Sequence, residues 1–413
     1  MSRSIEQPPD LVIIGAGIAG LAVARSACRR DLRPLVLDRG RPGGATTGVA
    51  AGMLAPVSEA AFGERDLLAL NLAAAARWPA WAEGLDGGGR LECGTLLVAR
   101  DRDQAEALDR QLAFRHDCGL RAERLLPTAA RRLEPALAPT VRLALDVPDD
   151  HVTDPAALVA ALVTAIESGG GEIRTGAEVS EIEVGGDRVR GVRLAGGERI
   201  AATHVVVAAG PWSGALSGIP ESARVPVRPV KGQLLRLRDP AGPGLVERVV
   251  RSEEMYLVPR GDGRYVLGAT VEERGFDTAV TAGALHDLLR EAAEVVPGVL
   301  ELEVTETVAG LRPGTPDNAP ALGPGLVAGL LALGGLDGDP PQPPWIAWRT
   351  STRSPSCSSR RSHWVRGTTS ASTATATPRR ARSAPKEATT APTVVPSARS
   401  RGSPLTWTVK VTR

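Results

Sequence analysis

The sequence predicts an α/β fold, α+β overall, in which a discontinuous domain of parallel strands and crossover helices is interrupted by a mainly antiparallel domain. Three observations lead there. A short apolar run, Leu11-Val12-Ile13-Ile14, passes through Gly15-Ala16-Gly17-Ile18-Ala19-Gly20 into a helical stretch ending near Arg29, and a second apolar run, Leu35-Val36-Leu37, follows. That is a strand–turn–helix–strand unit of about 30 residues. Far downstream, Thr203 to Gly210 reads as a buried strand ending in small residues, so the first domain resumes late and another is inserted within it. Between them, short alternating runs from Ile173 to Val207 are punctuated by Gly185-Gly186 and Gly196-Gly197, the pattern of a small antiparallel meander.

The remaining elements follow in order. Arg65 to Glu83 reads as a helix. Asp154-Pro155 starts another, with an N-cap side chain and a proline at the first helical position, and Gly169-Gly170-Gly171 stops it. Val225 to Leu237, Met255 to Val258 and Tyr265 to Gly268 have the composition of strands, and a helix is expected from Ala282 to Val295. No internal repeat is visible. The expected division gives residues 9–85, 151–214 and 306–336 to the first domain and 86–150 and 215–305 to the inserted one, with 337–413 as a low-complexity basic tail.

At 413 residues, with 43% hydrophobic and 23% charged, the chain has the composition of a soluble globular protein of two to three domains. No apolar run approaches the roughly 20 residues that cross a bilayer, and Met1 to Asp10 lacks the apolar centre of a signal peptide. A cytoplasmic address and no membrane partner are expected. Four scattered cysteines without a C-x-x-C argue against a disulfide framework or a zinc knuckle. The net charge of +2 conceals an asymmetry: thirteen of 49 basic residues but only one of 47 acidic ones lie beyond residue 340. The body is therefore acidic by ten charges, and no nucleic-acid partner is expected.

Each part of the first motif has chemistry to do. Gly15 permits the tight turn, Gly17 lets the backbone approach a pyrophosphate, and Gly20 allows close helix–strand packing. The helix N-terminus faces the phosphate charge. Asp38, 18 residues after Gly20, ends the next strand and is placed to accept hydrogen bonds from ribose hydroxyls. The first domain is thus Rossmann-like. Two features favour FAD over NAD. The small-residue stretch Gly43 to Leu54 has room to wrap a bulky isoalloxazine with backbone amides, and Ala50-Ala51-Gly52-Met53-Leu54 is too apolar for a surface loop. The late strand Val205-Val206-Val207 requires the discontinuous domain already described. No other constellation competes: there is no G-x-S-x-G, H-E-x-x-H or Walker sequence, and the five histidines are dispersed.

With those motifs in hand the sequence resembles the FAD-dependent amino-acid oxidases of the D-amino-acid oxidase superfamily, and among them the glycine oxidases of thiamine biosynthesis. The resemblance rests on Gly15 to Gly20, Thr46-Thr47 to Pro56, Val205 to Ser213 and Pro229-Val230-Lys231-Gly232-Gln233. It continues through Tyr256 to Arg260, Gly268-Ala269-Thr270 and Ala309 to Thr315, in the same order over roughly residues 9 to 325. It implies FAD contacts from Ile18 and Ala19 at the pyrophosphate and from Asp38 and Arg39 at the adenosine ribose. It further implies Thr46, Thr47, Ala51, Gly52 and Met53 along the flavin, and the Val179 backbone at the adenine. Arg312 matches the arginine that holds the substrate carboxylate, and Tyr256 a substrate-site tyrosine. A small amine substrate and dioxygen are the implied partners, and a homo-oligomer is left open.

The chemistry agrees with those roles. A carboxylate is best held by a planar, permanently charged fork, which arginine supplies and lysine does not. Arg312 stands in Gly310-Leu311-Arg312-Pro313-Gly314, expected as a rigid turn that fixes its direction. No side chain is expected as general base, because the cofactor carries the hard chemistry and the protein has only to orient the substrate's Cα–H, carboxylate and amine.

The tail departs from the pattern. After the Arg312 loop the family continues with a His-x-Arg-Asn-Gly segment that opens a final helix, whereas here Asp339-Pro340-Pro341-Gln342-Pro343 stands in its place. Codons for those five residues, shifted by one nucleotide, can spell Thr-His-Arg-Asn. Ser, Thr, Arg, Pro and Ala dominate the last 73 residues, as in GC-rich coding DNA translated out of frame. The expectation is a disordered tail from about Asp337 to Arg413, with weakened FAD binding and little oxidase activity.

Overall fold

The computed structural model describes residues 8–324, 328 and 330–334. Its first sheet starts at β1 (Leu11–Ile14), followed by helix α1 (Ile18–Cys28) and β2 (Pro34–Leu37). A one-turn helix α2 (Thr46–Val49), a longer helix α3 (Pro155–Ser168) and β3 (Val205–Val207) complete the parts around the glycine turn. Six strands pair in the order Ala321–Pro324, Leu330–Gly334, β3, β1, β2 and Glu172–Arg174. Only the first of these pairs is antiparallel.

The alternation of side chains shows why these short runs are apolar throughout. Ile13, Val36 and Val206 point to one face and pack with Leu21, Leu158, Leu162 and Ile166 of α1 and α3. Val12, Ile14, Leu35, Leu37, Val205 and Val207 point to the other, against Val179, Ile182, Val192 and Ile200. A parallel sheet covered on both sides has no position left for a polar residue. The cover on the second face is the meander of Val179–Gly185, Arg188–Leu194 and Arg199–Ala201. The meander is shorter than the expected 173–207, because Ile173 lies in a strand paired with β2. Helix α3 begins as expected, with Asp154 accepting from the Ala156 and Ala157 N–H groups and Pro155 in the first turn.

The second sheet has eight strands drawn from 95–147 and 228–314. Four of them carry the argument: β4 (Arg228–Arg238), β5 (Tyr256–Pro259), β6 (Arg264–Gly268) and β7 (Glu303–Gly314). Their order is β7-β4-β6-β5, all antiparallel. Leu235, Leu237, Leu257 and Leu267 bury one face against Leu288, Ala292 and Val295 of the helix Ala282–Val295, whose bounds are those expected. The other face turns Leu234, Tyr256, Val258 and Val266 towards Ala51 and Met53.

One expectation is corrected. Gly310 to Gly314 is not a turn but the end of the twelve-residue strand β7, paired in continuous register with Gly232 to Arg228 of β4. Being an edge strand, β7 tolerates Pro313 without its N–H. Residues 86–150 also carry elements that sequence pattern did not assign, among them the strand Thr95–Ala99 and the helix Arg102–Asp117. The tail expected over 337–413 lies outside the described residues.

Candidate active site

The tight turn after β1 is closed to side chains. Gly15 has φ +108°, and a Cβ there would stand 2.4 Å from the Ala208 carbonyl oxygen; one on Gly20 would stand 2.0 Å from the carbonyl oxygen of Gly15. Backbone therefore forms the floor at the N-terminus of α1, whose N-cap, Gly17, offers no side-chain cap. The Ile18 N–H is taken instead by the Thr47 hydroxyl, at 3.0 Å. Asp38 is held in place by two backbone donors, Ala16 N–H to Oδ2 and Gly40 N–H to Oδ1, both at 2.7 Å. The Arg39 guanidinium lies 4.2 Å from the centre of the Trp212 ring.

A cavity of about 460 Å³ opens over this floor. Gly15, Gly17, Ile18, Ala19, Asp38, Arg39, Thr46, Thr47 and Val179 all line it. Gly20 does not line it, since its role is the packing beneath Gly15. Ala51, Gly52 and Met53 instead line an adjoining cavity of about 50 Å³ together with Tyr256 and Leu234, while Thr46, Ala50 and Arg312 border both. The structure thus brings the expected cofactor residues other than Gly20, and both expected substrate residues, around two adjoining spaces. A helix N-terminus, a side-chain-free turn and the Asp38 carboxylate at the end of β2, all in one large cavity, fit FAD.

The small cavity is walled by β4, β5 and β7 on one side and the 46–53 segment on the other. Tyr256 and Arg312 are both buried, at 3% and 9% exposure. Arg312 Nη1 donates to the Thr270 carbonyl at 3.1 Å. Two tethers hold the segment against the sheet. The Thr46 hydroxyl donates to the Leu311 carbonyl at 2.7 Å, so α2 is tied to the strand that carries Arg312. Arg260 donates from Nη2 to the Ala51 carbonyl at 2.7 Å and from Nη1 to the Thr153 carbonyl at 2.9 Å. Burial pushes the Arg260 pKa down to about 10, which leaves it charged at neutral pH. Arg260 had no assigned role in the sequence. Its position at the end of the Tyr256-Leu257-Val258-Pro259-Arg260 run was the available signal, but its acceptors lie 107 and 209 residues away.

Among the described residues no group of His, Cys, Asp and Glu is arranged to hold a metal ion, and no helix is long and apolar enough to cross a membrane. The DAO family, described as FAD-dependent oxidoreductases, matches residues 10–340. The chain belongs to this family. FAD is accordingly its cofactor, and oxidoreduction its class of chemistry. The glycine oxidase of Geobacillus kaustophilus is 32% identical over 321 residues, 76% of this chain and 84% of that protein. A protein of Rhizobium etli named as a thiamine biosynthesis oxidoreductase, ThiO, is 35% identical over 75% of this chain and 86% of its own length. The crystal structure of the Geobacillus glycine oxidase superposes with a TM-score of 0.73 at 31% identity, covering 79% of this chain and 89% of that one.

Proposed function

We propose that the protein oxidises glycine, or an amine of similar size, to the imine, whose hydrolysis gives the keto acid and ammonia while dioxygen becomes hydrogen peroxide. Its place would be the supply of the imine or keto acid to thiamine thiazole biosynthesis, in keeping with the names of the Geobacillus and Rhizobium relatives. The observation that carries this reading is the 50 Å³ cavity in which Arg312 and Tyr256 meet the Ala51–Met53 wall. Bound FAD supplies the hydride acceptor and returns the electrons to dioxygen. Arg312 receives the carboxylate as a fork, and the Tyr256 ring closes the side next to it. Ala51, Met53, Leu234 and Ala269 exclude water and leave little room for a side chain on the substrate's α-carbon.

The test is peroxide production by the flavin-loaded protein on glycine, sarcosine and D-alanine. Glycine should give the highest kcat/KM; peroxide from D-alanine or sarcosine alone assigns the site to an oxidase of those substrates. Loss of a charge-assisted hydrogen-bonding partner is worth about 1.5–3 kcal/mol, so Arg312→Ala should lower kcat/KM by roughly ten- to over a hundredfold. Wild-type kinetics in that variant would remove Arg312 from the substrate site. A second reading comes from Asp339 to Pro343 standing where the family has its His-x-Arg-Asn-Gly segment. It has the same site with weak FAD binding and little turnover, and the flavin content of the purified protein separates the two.

A further inference from the structure

Gly232 sits in the interior of β4, where glycine is ordinarily a poor choice because it weakens a strand and packs nothing. Two usual reasons for a strand glycine do not apply. Its backbone is outside the positive-φ region, so the conformation does not demand glycine. The register between β4 and β7 is continuous there, the single irregularity falling between Arg236 and Leu237, so there is no bulge to accommodate. What lies over Gly232 is the guanidinium of Arg312. A Cβ on Gly232 would stand 2.6 Å from Nη1, 2.8 Å from Nη2 and 2.9 Å from Cζ. These three nearly equal distances place the plane of the fork across the β4 backbone. Ordinary contact between such atoms is about 3.5 Å or more, so a methyl group would lift the guanidinium by roughly 1 Å.

We propose that Gly232 is a positioning residue for the substrate carboxylate: by carrying no side chain it lets the Arg312 fork seat on β4 at the border of the small cavity. The proposal rests on the reading of Arg312 as the carboxylate partner. It has a distinctive consequence. The group that must yield to a methyl added at Gly232 is the far end of a flexible side chain, not backbone, so the fold survives while the binding geometry does not. A misplacement of about 1 Å is enough to cost tenfold or more in a site that depends on alignment.

The experiment uses acetate, the simplest carboxylate of glycine's size, titrated calorimetrically into the purified flavoprotein. Wild type, Gly232→Ala, Arg312→Ala and the double variant are compared. Gly232→Ala should keep the wild-type Tm and flavin spectrum and bind acetate roughly tenfold more weakly or worse. The double variant should bind no more weakly than Arg312→Ala alone, because Gly232 acts only through the fork. Wild-type acetate affinity in Gly232→Ala, beside a weakened Arg312→Ala, overturns the proposal by itself, as does simple additivity in the double variant. Wild-type affinity in Arg312→Ala overturns the carboxylate reading, and the proposal falls with it. If Gly232→Ala does not fold, folding of the double variant still supports the clash with Arg312, and failure of both shows a backbone requirement and overturns the proposal.

Discussion

At Gly15, in the turn of the parallel sheet, an added Cβ would stand 2.4 Å from a backbone oxygen of Ala208; at Gly232, inside the antiparallel sheet, it would stand 2.6 Å from the terminal Nη1 of Arg312. The distances are alike and the consequences differ. In the first region, at Gly15, the three nearest neighbours are all main chain, in a turn held by pairing of β1 with β2 and β3, and none of them can give. In the second, the neighbour is a side chain with several rotatable bonds. The turn after β1 is thus shaped by backbone, and the small cavity by side chains laid on a backbone floor. On the proposed function, fold and cofactor binding are one property in the first region, whereas fold and ligand binding are separable in the second.

The largest expected effect breaks the first region. Gly15→Ala combines a strained positive φ with a clash against main chain, about 4 kcal/mol in all. The variant should accumulate poorly and purify without flavin, in contrast to Gly232→Ala. The comparison is wrong if Gly15→Ala carries wild-type flavin content at wild-type Tm.

A smaller effect is expected at the seam between the regions. Arg260→Met keeps much of the length of the side chain but leaves the Ala51 and Thr153 carbonyls without their guanidinium donors. Stability should fall by about 2 kcal/mol, and kcat/KM for glycine by about tenfold, as the Ala51–Met53 wall loses its alignment. Arg260→Lys, with one compact donor group, should recover part of both. A stability loss with unchanged kinetics would make Arg260 a fold residue only.

The same contrast explains what could be read from the sequence. Strands β1, β2 and β3 of the parallel sheet were legible because their signals are local: short apolar runs, a tight glycine pattern, and an acid at a fixed distance; Glu172–Arg174, with one apolar residue, was not. Of the antiparallel sheet, the strands within Val225 to Leu237, Met255 to Val258 and Tyr265 to Gly268 were legible, but their register was not, and its function lies in register. Arg312 was identified by motif, yet its surroundings were expected to be a turn, since nothing local shows that Leu311 pairs with Lys231 and Gly310 with Gly232. Arg260 and Gly232 lay within motifs already singled out for other reasons. Only the pairing of β4 with β7, and the approach of Ala51 to Arg260, gives them work.

The smallest effect sharpens the comparison within the backbone-made region, at a side chain that stands in for the missing cap. The Thr47 hydroxyl accepts the Ile18 N–H at the N-terminus of α1, where Gly17 supplies no cap. In protein stripped of FAD, Thr47→Val deprives that N–H of its acceptor in a buried place and should cost about 1 kcal/mol, as loss of a cap does. For a domain of this size that is a fall in Tm of about 2 °C. On the assignment of Ile18 to the pyrophosphate, phosphate oxygens of bound FAD would offer the N–H another acceptor, and the loss should shrink to less than half. Thermal unfolding of wild type and Thr47→Val, with and without FAD, reads the difference directly. Equal shifts in the two forms would mean that the Thr47 hydroxyl and the diphosphate do not share a site, and the assignment of Ile18 to the pyrophosphate would have to be given up.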